Sequence, residues 1–218
     1  MQFKHVTLDF DGPVAILKLD HPEVMNAVSM DMLGGLGEAL DAIDDRRGEV
    51  RCLVLTGTGR AFCAGANLQG RDNQKPGSRS NAGVTLETGY HPFLRRLRNL
   101  HCPIVTSVNG AAAGAGMSFA LMGERLPAEK ALEWGLVNRV YDDAALMDET
   151  MKLARELADG PTIALSLIRR LYWESSDNSF EDQLDLEQQM QRRAGAAEDF
   201  KEGVTAFLEK RPAKFRGK

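Results

Sequence analysis

An α/β fold with a mostly parallel sheet and a helical last third is what this 218-residue sequence predicts, on three observations. Short β-rich apolar runs alternate with amphipathic helical spacing through the first half. Two of those runs lead into glycine-rich turns, Cys63-Ala64-Gly65-Ala66-Asn67 and Asn109-Gly110-Ala111-Ala112-Ala113-Gly114-Ala115-Gly116. From Ala128 onward the spacing is almost wholly helical.

Taken in order, Phe3–Phe10 and Val14–Asp20 alternate with period two and flank Asp11-Gly12-Pro13, a hairpin signal. His21–Ser29 reads as a loop that ends on Ser29, a candidate N-cap. Asp31–Arg46 carries Met32, Leu36, Leu40 and Ile43 on one helical stripe. Val50–Thr56 is a buried strand. Gln69–Ala82 has few apolar residues and reads as a mobile surface loop. Thr85–Leu100 is helical, with Phe93, Leu94, Leu97 and Leu100 as its core side, and Pro103–Val108 is the next buried strand. Helices follow at Ala128–Trp134, Ala144–Ala158, Pro161–Glu174, Phe180–Ala194 and Ala197–Glu209. The division is an α/β core over 1–140 and a helical C-terminal region over 141–218.

Composition excludes several function classes. Lys and Arg nearly balance Asp and Glu, at 27 against 31, so no basic surface for nucleic acid is expected. Basic residues thicken only at the end, through Lys210, Arg211, Lys214, Arg216 and Lys218, which reads as a solvated tail or as a site for an anionic ligand. Cys52, Cys63 and Cys102 are odd in number and lack metal-ligand spacing, which fits a reducing cytoplasm. His5, His21, His91 and His101 show no paired spacing for a metal. No signal peptide and no run approaching the ~20 apolar residues of a membrane span is read, so a soluble intracellular protein is expected.

The two glycine turns carry the chemistry. Each leaves small residues and bare backbone N–H groups at the end of a strand, where a bulky side chain would keep a ligand off. Two such donors converging on one point form an oxyanion hole, which stabilises charge on a carbonyl oxygen. A dinucleotide turn needs G-x-G-x-x-G, and the spacing Gly110, Gly114, Gly116 does not supply it. Cys63 reads as a packed thiol, having no histidine near it in sequence.

Five motifs in order resemble the crotonase superfamily, the enoyl-CoA hydratase/isomerase proteins. They are His21-Pro22-Glu23-Val24-Met25-Asn26-Ala27, Ala61 to Leu68, Pro103 to Gly116, Leu126 to Val137, and Glu202 to Pro212. The Ala-Ala-Gly-Ala-Gly variant and Asp185-Leu186-Glu187 look most like the epoxyphenylacetyl-CoA isomerase branch. The resemblance implies a (ββα)-type spiral core and a C-terminal trimerisation region, in a homotrimer or a dimer of trimers. It implies an acyl-CoA thioester as substrate, with no cofactor beyond that coenzyme A, and neither membrane nor nucleic acid as partner. The catalytic donors it implies are the N–H groups of Ala66 and Ala115, with Gly116 beside the second. Met25, Ala64, Gly65, Asn67, Leu68, Phe207 and Lys210 would contact substrate or coenzyme A, and Glu87 and Tyr90 fall in a region that lines the acyl pocket.

Two departures qualify the resemblance. Ser118 stands where hydratases carry a glutamate, so an isomerase is favoured over a two-glutamate hydratase. Phe119-Ala120-Leu121 also runs directly into Met122-Gly123-Glu124, where roughly 45 residues of a member of roughly 260 have no counterpart. Either residues are omitted between 121 and 122 or the stretch is deleted, and a Cα separation of about 3.8 Å marks true neighbours. The later catalytic acid of isomerase-type members would fall in that stretch. If it is truly deleted, the implied function is a catalytically silent protein that binds coenzyme A.

Overall fold

A computed structural model of the chain describes residues 1–67, 84, 86–114 and 126–218. The segment read as a surface loop, Gln69–Ala82, lies outside them, as do Leu68, Ala115, Gly116, Ser118 and the 121–122 junction.

Seven strands and seven α-helices are described. The strands are β1 (Gln2–Phe3), β2 (Val6–Asp11), β3 (Val14–Leu19), β4 (Cys52–Gly57), β5 (Ala61–Cys63), β6 (Ile104–Thr106) and β7 (Ala111–Ala112). The helices are α1 (Met30–Asp44), α2 (His91–Arg98), α3 (Ala128–Glu133), α4 (Leu146–Asp159), α5 (Thr162–Glu174), α6 (Phe180–Gly195) and α7 (Glu198–Glu209). The main sheet runs β1-β2-β3-β4-β6, and β5 and β7 pair apart from it. The sheet is mixed: β1, β2 and β3 pair antiparallel, whereas β3–β4 and β4–β6 are parallel. The hairpin at Gly12 (φ +56°) makes the antiparallel part, since a two-residue turn can only reverse the chain.

Two differences from expectation lie at the N-terminus and in the second helix. The predicted first strand is broken at His5, whose φ of +58° folds β1 back on β2. The helix expected over Thr85–Leu100 is a π-helical turn, Leu86–Tyr90, followed by α2, with Pro92 in its first turn. A proline tolerates only the first turn of a helix, so α2 starts there. Leu94, expected in the core, is exposed, while Leu100 is buried.

Three layers form around the sheet. Ser29 caps α1 by accepting from the Met32 N–H at 3.1 Å. The stripe Met32, Leu36, Leu40 and Ile43 then packs on Leu8, Leu17 and Leu53. On the other face, Met151, Ala154 and Ala158 of α4 cover Val14, Cys52 and Val54. Strands covered on both faces read as near-continuous apolar runs, which is why β3 and β4 carry so few polar residues.

Beyond α4 the C-terminal region is tied on by polar contacts. Arg51, just before β4, donates to Thr162 Oγ1 (3.0 Å), the Phe215 carbonyl (3.1 Å) and the Gly160 carbonyl (2.6 Å). Arg169 of α5 donates to the carbonyls of Cys102 (2.8 Å) and Leu100. The tail lies back along α7, because the buried Asp199 carboxylate accepts from the Arg216 and Gly217 N–H groups at 2.7 and 2.8 Å. Among the described residues no helix is long and apolar enough to cross a membrane.

Candidate active site

Three segments meet beside the small β5–β7 sheet: the loop 21–28, the turn 63–67 and the turn 109–114. In the first, a 3-10 turn (Pro22–Val24) leads into two consecutive left-handed residues, Met25 (φ +52°) and Asn26 (φ +55°). That reversal aims the Met25 carbonyl at the Ala64 N–H, 2.9 Å away. Two further bonds stitch the segments, from the Val28 N–H to the Gly65 carbonyl (2.7 Å) and from the Asn67 N–H to the Val28 carbonyl (2.8 Å). This is a parallel bridge between Val28 and Ala66. In that pattern residue 66 spends none of its own polar groups on Val28, so its N–H points away from the loop. Ala66 is exposed, and its N–H donates to no carbonyl among the described residues.

The second turn closes on the first. β7 pairs in parallel with β5, Ala61 opposite Ala111 and Cys63 opposite Ala112, and the Ala113 N–H donates to the Cys63 carbonyl at 2.9 Å. Gly65 (φ +98°) lies so near that a Cβ on it would stand 3.0 Å from the Ala113 oxygen and 3.4 Å from Gly114 Cα. Only glycine combines that backbone angle with that approach.

Of the sequence-predicted site residues, the structure thus brings Met25, Ala64, Gly65, Ala66 and Asn67 together beside Gly114. Leu68, Ala115 and Gly116 lie outside the described residues. Cys63 is buried, and burial pushes its thiol above the ordinary range, which suits packing and not nucleophilic attack. Glu87 and Tyr90 fall in the π-helical turn, Glu87 exposed and Tyr90 packed against the main core. No group of three His, Cys, Asp or Glu side chains suited to a metal is found among the described residues.

Phe207 and Lys210 sit elsewhere in the fold. Phe207 is 82% exposed at the rim of an apolar groove that Ile163, Phe200, Val204, Leu208 and Phe215 also line. Lys210 ends α7 in the left-handed region (φ +55°). Neither makes a hydrogen bond or ion pair to the glycine turns among the described residues. Much of the basic tail is engaged by the acids of α7. Arg211 is bidentate on Glu202 (2.7 and 3.0 Å) and also binds Glu209 (2.6 Å). The guanidinium and the Lys214 N–H hold the Glu202 carboxyl down at about 2.

Sequence reasoning assigned no role to two asparagines that the structure makes prominent. Asn26 is fully buried, and its Nδ2 donates to the carbonyls of Thr58 (2.9 Å) and Ala61 (2.8 Å). Asn109 accepts from the Gly57 N–H (3.0 Å) and donates to the Gly59 carbonyl (3.0 Å). The available signal was asparagine next to Ala or Gly in the two quoted motifs, a residue type suited to local backbone bonding and to positive φ.

Comparison with known proteins bears on this arrangement. The family model for enoyl-CoA hydratase/isomerase matches residues 9–123 and 117–218. The chain is 36% identical over 251 residues to the 1,2-epoxyphenylacetyl-CoA isomerase of Escherichia coli K12, covering 94% of this chain and 95% of that protein. It is 31% identical over 268 residues to a probable enoyl-CoA hydratase of Rhodobacter capsulatus, covering all of both. Its fold is similar to the crystal structure of an enoyl-CoA hydratase subunit I from Geobacillus kaustophilus, with a TM-score of 0.83, 31% identity and full coverage of both chains. The two family-model matches meet at 117–123. The Escherichia coli alignment spans 251 positions where 94% of 218 residues is about 205, so about 46 aligned positions have no residue here.

Proposed function

The chain belongs to the enoyl-CoA hydratase/isomerase family, and from that premise we propose that it binds an acyl-CoA thioester and stabilises its enolate between the N–H groups of Ala66 and Ala115. The observation that carries this reading is the Ala66 N–H, turned away from the Val28 bridge and donating to no carbonyl among the described residues, with Gly114 packed against the adjacent Gly65. A backbone donor aimed at a developing oxyanion contributes about 3–4 kcal/mol in a dry site. The thioester oxygen would sit at the two amides, and Met25, Ala64, Gly65, Asn67 and Leu68 would flank the acyl chain and pantetheine. The reaction is an isomerisation: Ser118 replaces the glutamate expected of a hydratase, and similarity to the 1,2-epoxyphenylacetyl-CoA isomerase supports the same choice. Coenzyme A enters as part of the substrate.

The same reading assigns Phe207 and Lys210 to the coenzyme of a neighbouring copy, in a trimer or a pair of trimers in the cytoplasm. It is supported by the open apolar residues there, Phe207 and Leu208 among them. Lysine suits phosphate as a point charge.

One observation favours a second reading. The family model matches in two parts that overlap at 117–123, beside the 121–122 junction where the resemblance puts the later catalytic acid, and about 46 positions of the Escherichia coli alignment have no residue here. A protein with the amide pair and no acid binds coenzyme A thioesters without turning them over. Absorbance of the conjugated thioester, followed with crotonyl-CoA and a 2,3-enoyl-CoA at high enzyme, separates the two. Loss or migration of the band supports turnover. An unchanged band with measurable coenzyme A binding supports the silent protein, and absence of binding removes both.

A further inference from the structure

We propose that Asn26 and Asn109 are positioning residues that fix the separation of the two glycine turns by gripping one shared element, the turn 57–61, from opposite ends. The inference rests on the enolate reading above.

The turn 57–61 joins β4 to β5 and has no side-chain core of its own. Its polar groups go largely to the two amides. Asn26 holds the carbonyls of Thr58 and Ala61, while its Oδ1 accepts from the His21 N–H at 2.9 Å. Asn109 holds the Gly57 N–H and the Gly59 carbonyl. Each amide therefore uses its donor and its acceptor at once, and no other side chain offers an NH2 donor and a separate carbonyl acceptor in so short a reach. A carboxylate would set an oxygen against the same carbonyls.

Contact at the ends is equally close. A Cβ at Gly57 would come within 2.9 Å of the Asn26 Nδ2, and one at Gly110 within 2.3 Å of the Arg60 oxygen. From Asn26 the chain reaches Val28, which bonds Gly65 and Asn67. From Asn109 it reaches Ala111–Ala113, which pair with β5. Both turns are thus referenced to one short piece of backbone. Asn26 is fully buried with both its donors and its acceptor used, and Asn109 is half-buried with a donor and its acceptor used. Such bonds stiffen the backbone they join, so a shift at either asparagine passes to the turn it supports.

Acetoacetyl-CoA tests this, because its bound enolate absorbs in the near ultraviolet and forms without a catalytic acid. The enolate-to-keto ratio and the dissociation constant of free coenzyme A are measured for the wild type, Asn26→Gly, Asn109→Ala and Ile43→Val. Asn26→Gly keeps the positive φ and removes only the amide. Ile43→Val is a core control that lowers the melting temperature far from the turns. Each asparagine variant is expected to lower the enolate ratio by about 10²-fold, the cost of misplacing a site by an ångström, with coenzyme A affinity little changed. Asn109→Asp, which keeps the acceptor for Gly57, is expected to fall between. Should Asn26→Gly fail to fold, Asn109→Ala, at a half-exposed position, decides. Variants that melt lower yet enolise as the wild type overturn the positioning role and leave the proposed function intact. A wild type that binds coenzyme A but forms no enolate removes the oxyanion reading, and this inference with it.

Discussion

The first and last thirds of the chain treat their apolar residues in opposite ways. In β2–β4 and α1, Leu8, Leu17, Met32, Leu40, Ile43 and Leu53 are fully buried between sheet and helix. Along α5–α7, Ile168, Tyr172, Trp173, Phe180, Phe207 and Leu208 lie open. The first region is complete within one chain and holds its loops in place by backbone bonding. The second docks through α4, Arg51 and Arg169 and leaves its apolar faces outward. An exposed surface of that kind marks contact with something else. The loops of the candidate site are therefore held by the self-contained region, while the helical region leaves apolar side chains open.

Four measurements break or sharpen that contrast. The largest effect belongs to the buried region: Leu17→Ala should cost about 2–5 kcal/mol in urea unfolding, the range for a truncated core leucine. Next is the join between the regions. Arg51→Ala strands three acceptors and should cost about 2 kcal/mol, since each bond to a charged group contributes more than a neutral one. It should also expose the tail to limited proteolysis before the sheet is lost.

A pH effect comes third. His101 lies at the seam of α1 and β4, with Nε2 3.0 Å from the Val50 carbonyl. Burial lowers its folded pKa below the model-peptide value of 6.5, outweighing the opposing bond to Val50. Below 6.5 the unfolded chain then binds the proton more readily than the folded one. The contribution is present above 6.5 and is lost as pH falls beneath it. The melting temperature should drop on going from pH 7.5 to 5.5, and His101→Asn should flatten that drop. Smallest is Phe180→Ser on the open face. It should change unfolding free energy by less than about 0.5 kcal/mol in the dissociated chain. If α6 lies in a contact between copies, the same change lowers the mass seen by sedimentation; an unchanged mass takes α6 out of that contact.

What the sequence disclosed divides along physical lines. Features written in local periodicity were legible: the stripe of α1, the Ser29 cap, the Asp11-Gly12-Pro13 hairpin and the two glycine turns. Leu94 failed because only one side of the helix faces the core: Phe93, Leu97 and Leu100 take it, and Leu94, one residue round from Phe93, is left outside. β5 and β7 are three and two residues long, too short to carry an alternating signal, and they exist only because they pair with each other. Asn26 and Asn109 stood inside recognised motifs, yet their partners lie 32 to 52 residues away. Bonds over such separations leave no period to read. The sequence pointed to the Ala66 N–H, but not to the bridge with Val28 that turns it outward.

The approach of Gly65 to Gly114 has a consequence for how such a protein can diversify. A side chain at Gly65 meets the Ala113 oxygen at 3.0 Å, and one at Gly114 meets Gly65 Cα at 3.4 Å, both from positive φ. The gap between the turns is a ruler cut in bare backbone, with no residue whose size could adjust it. Selection for a new acyl group should therefore return glycine at both positions from any library. Its successful changes should collect outside these two turns.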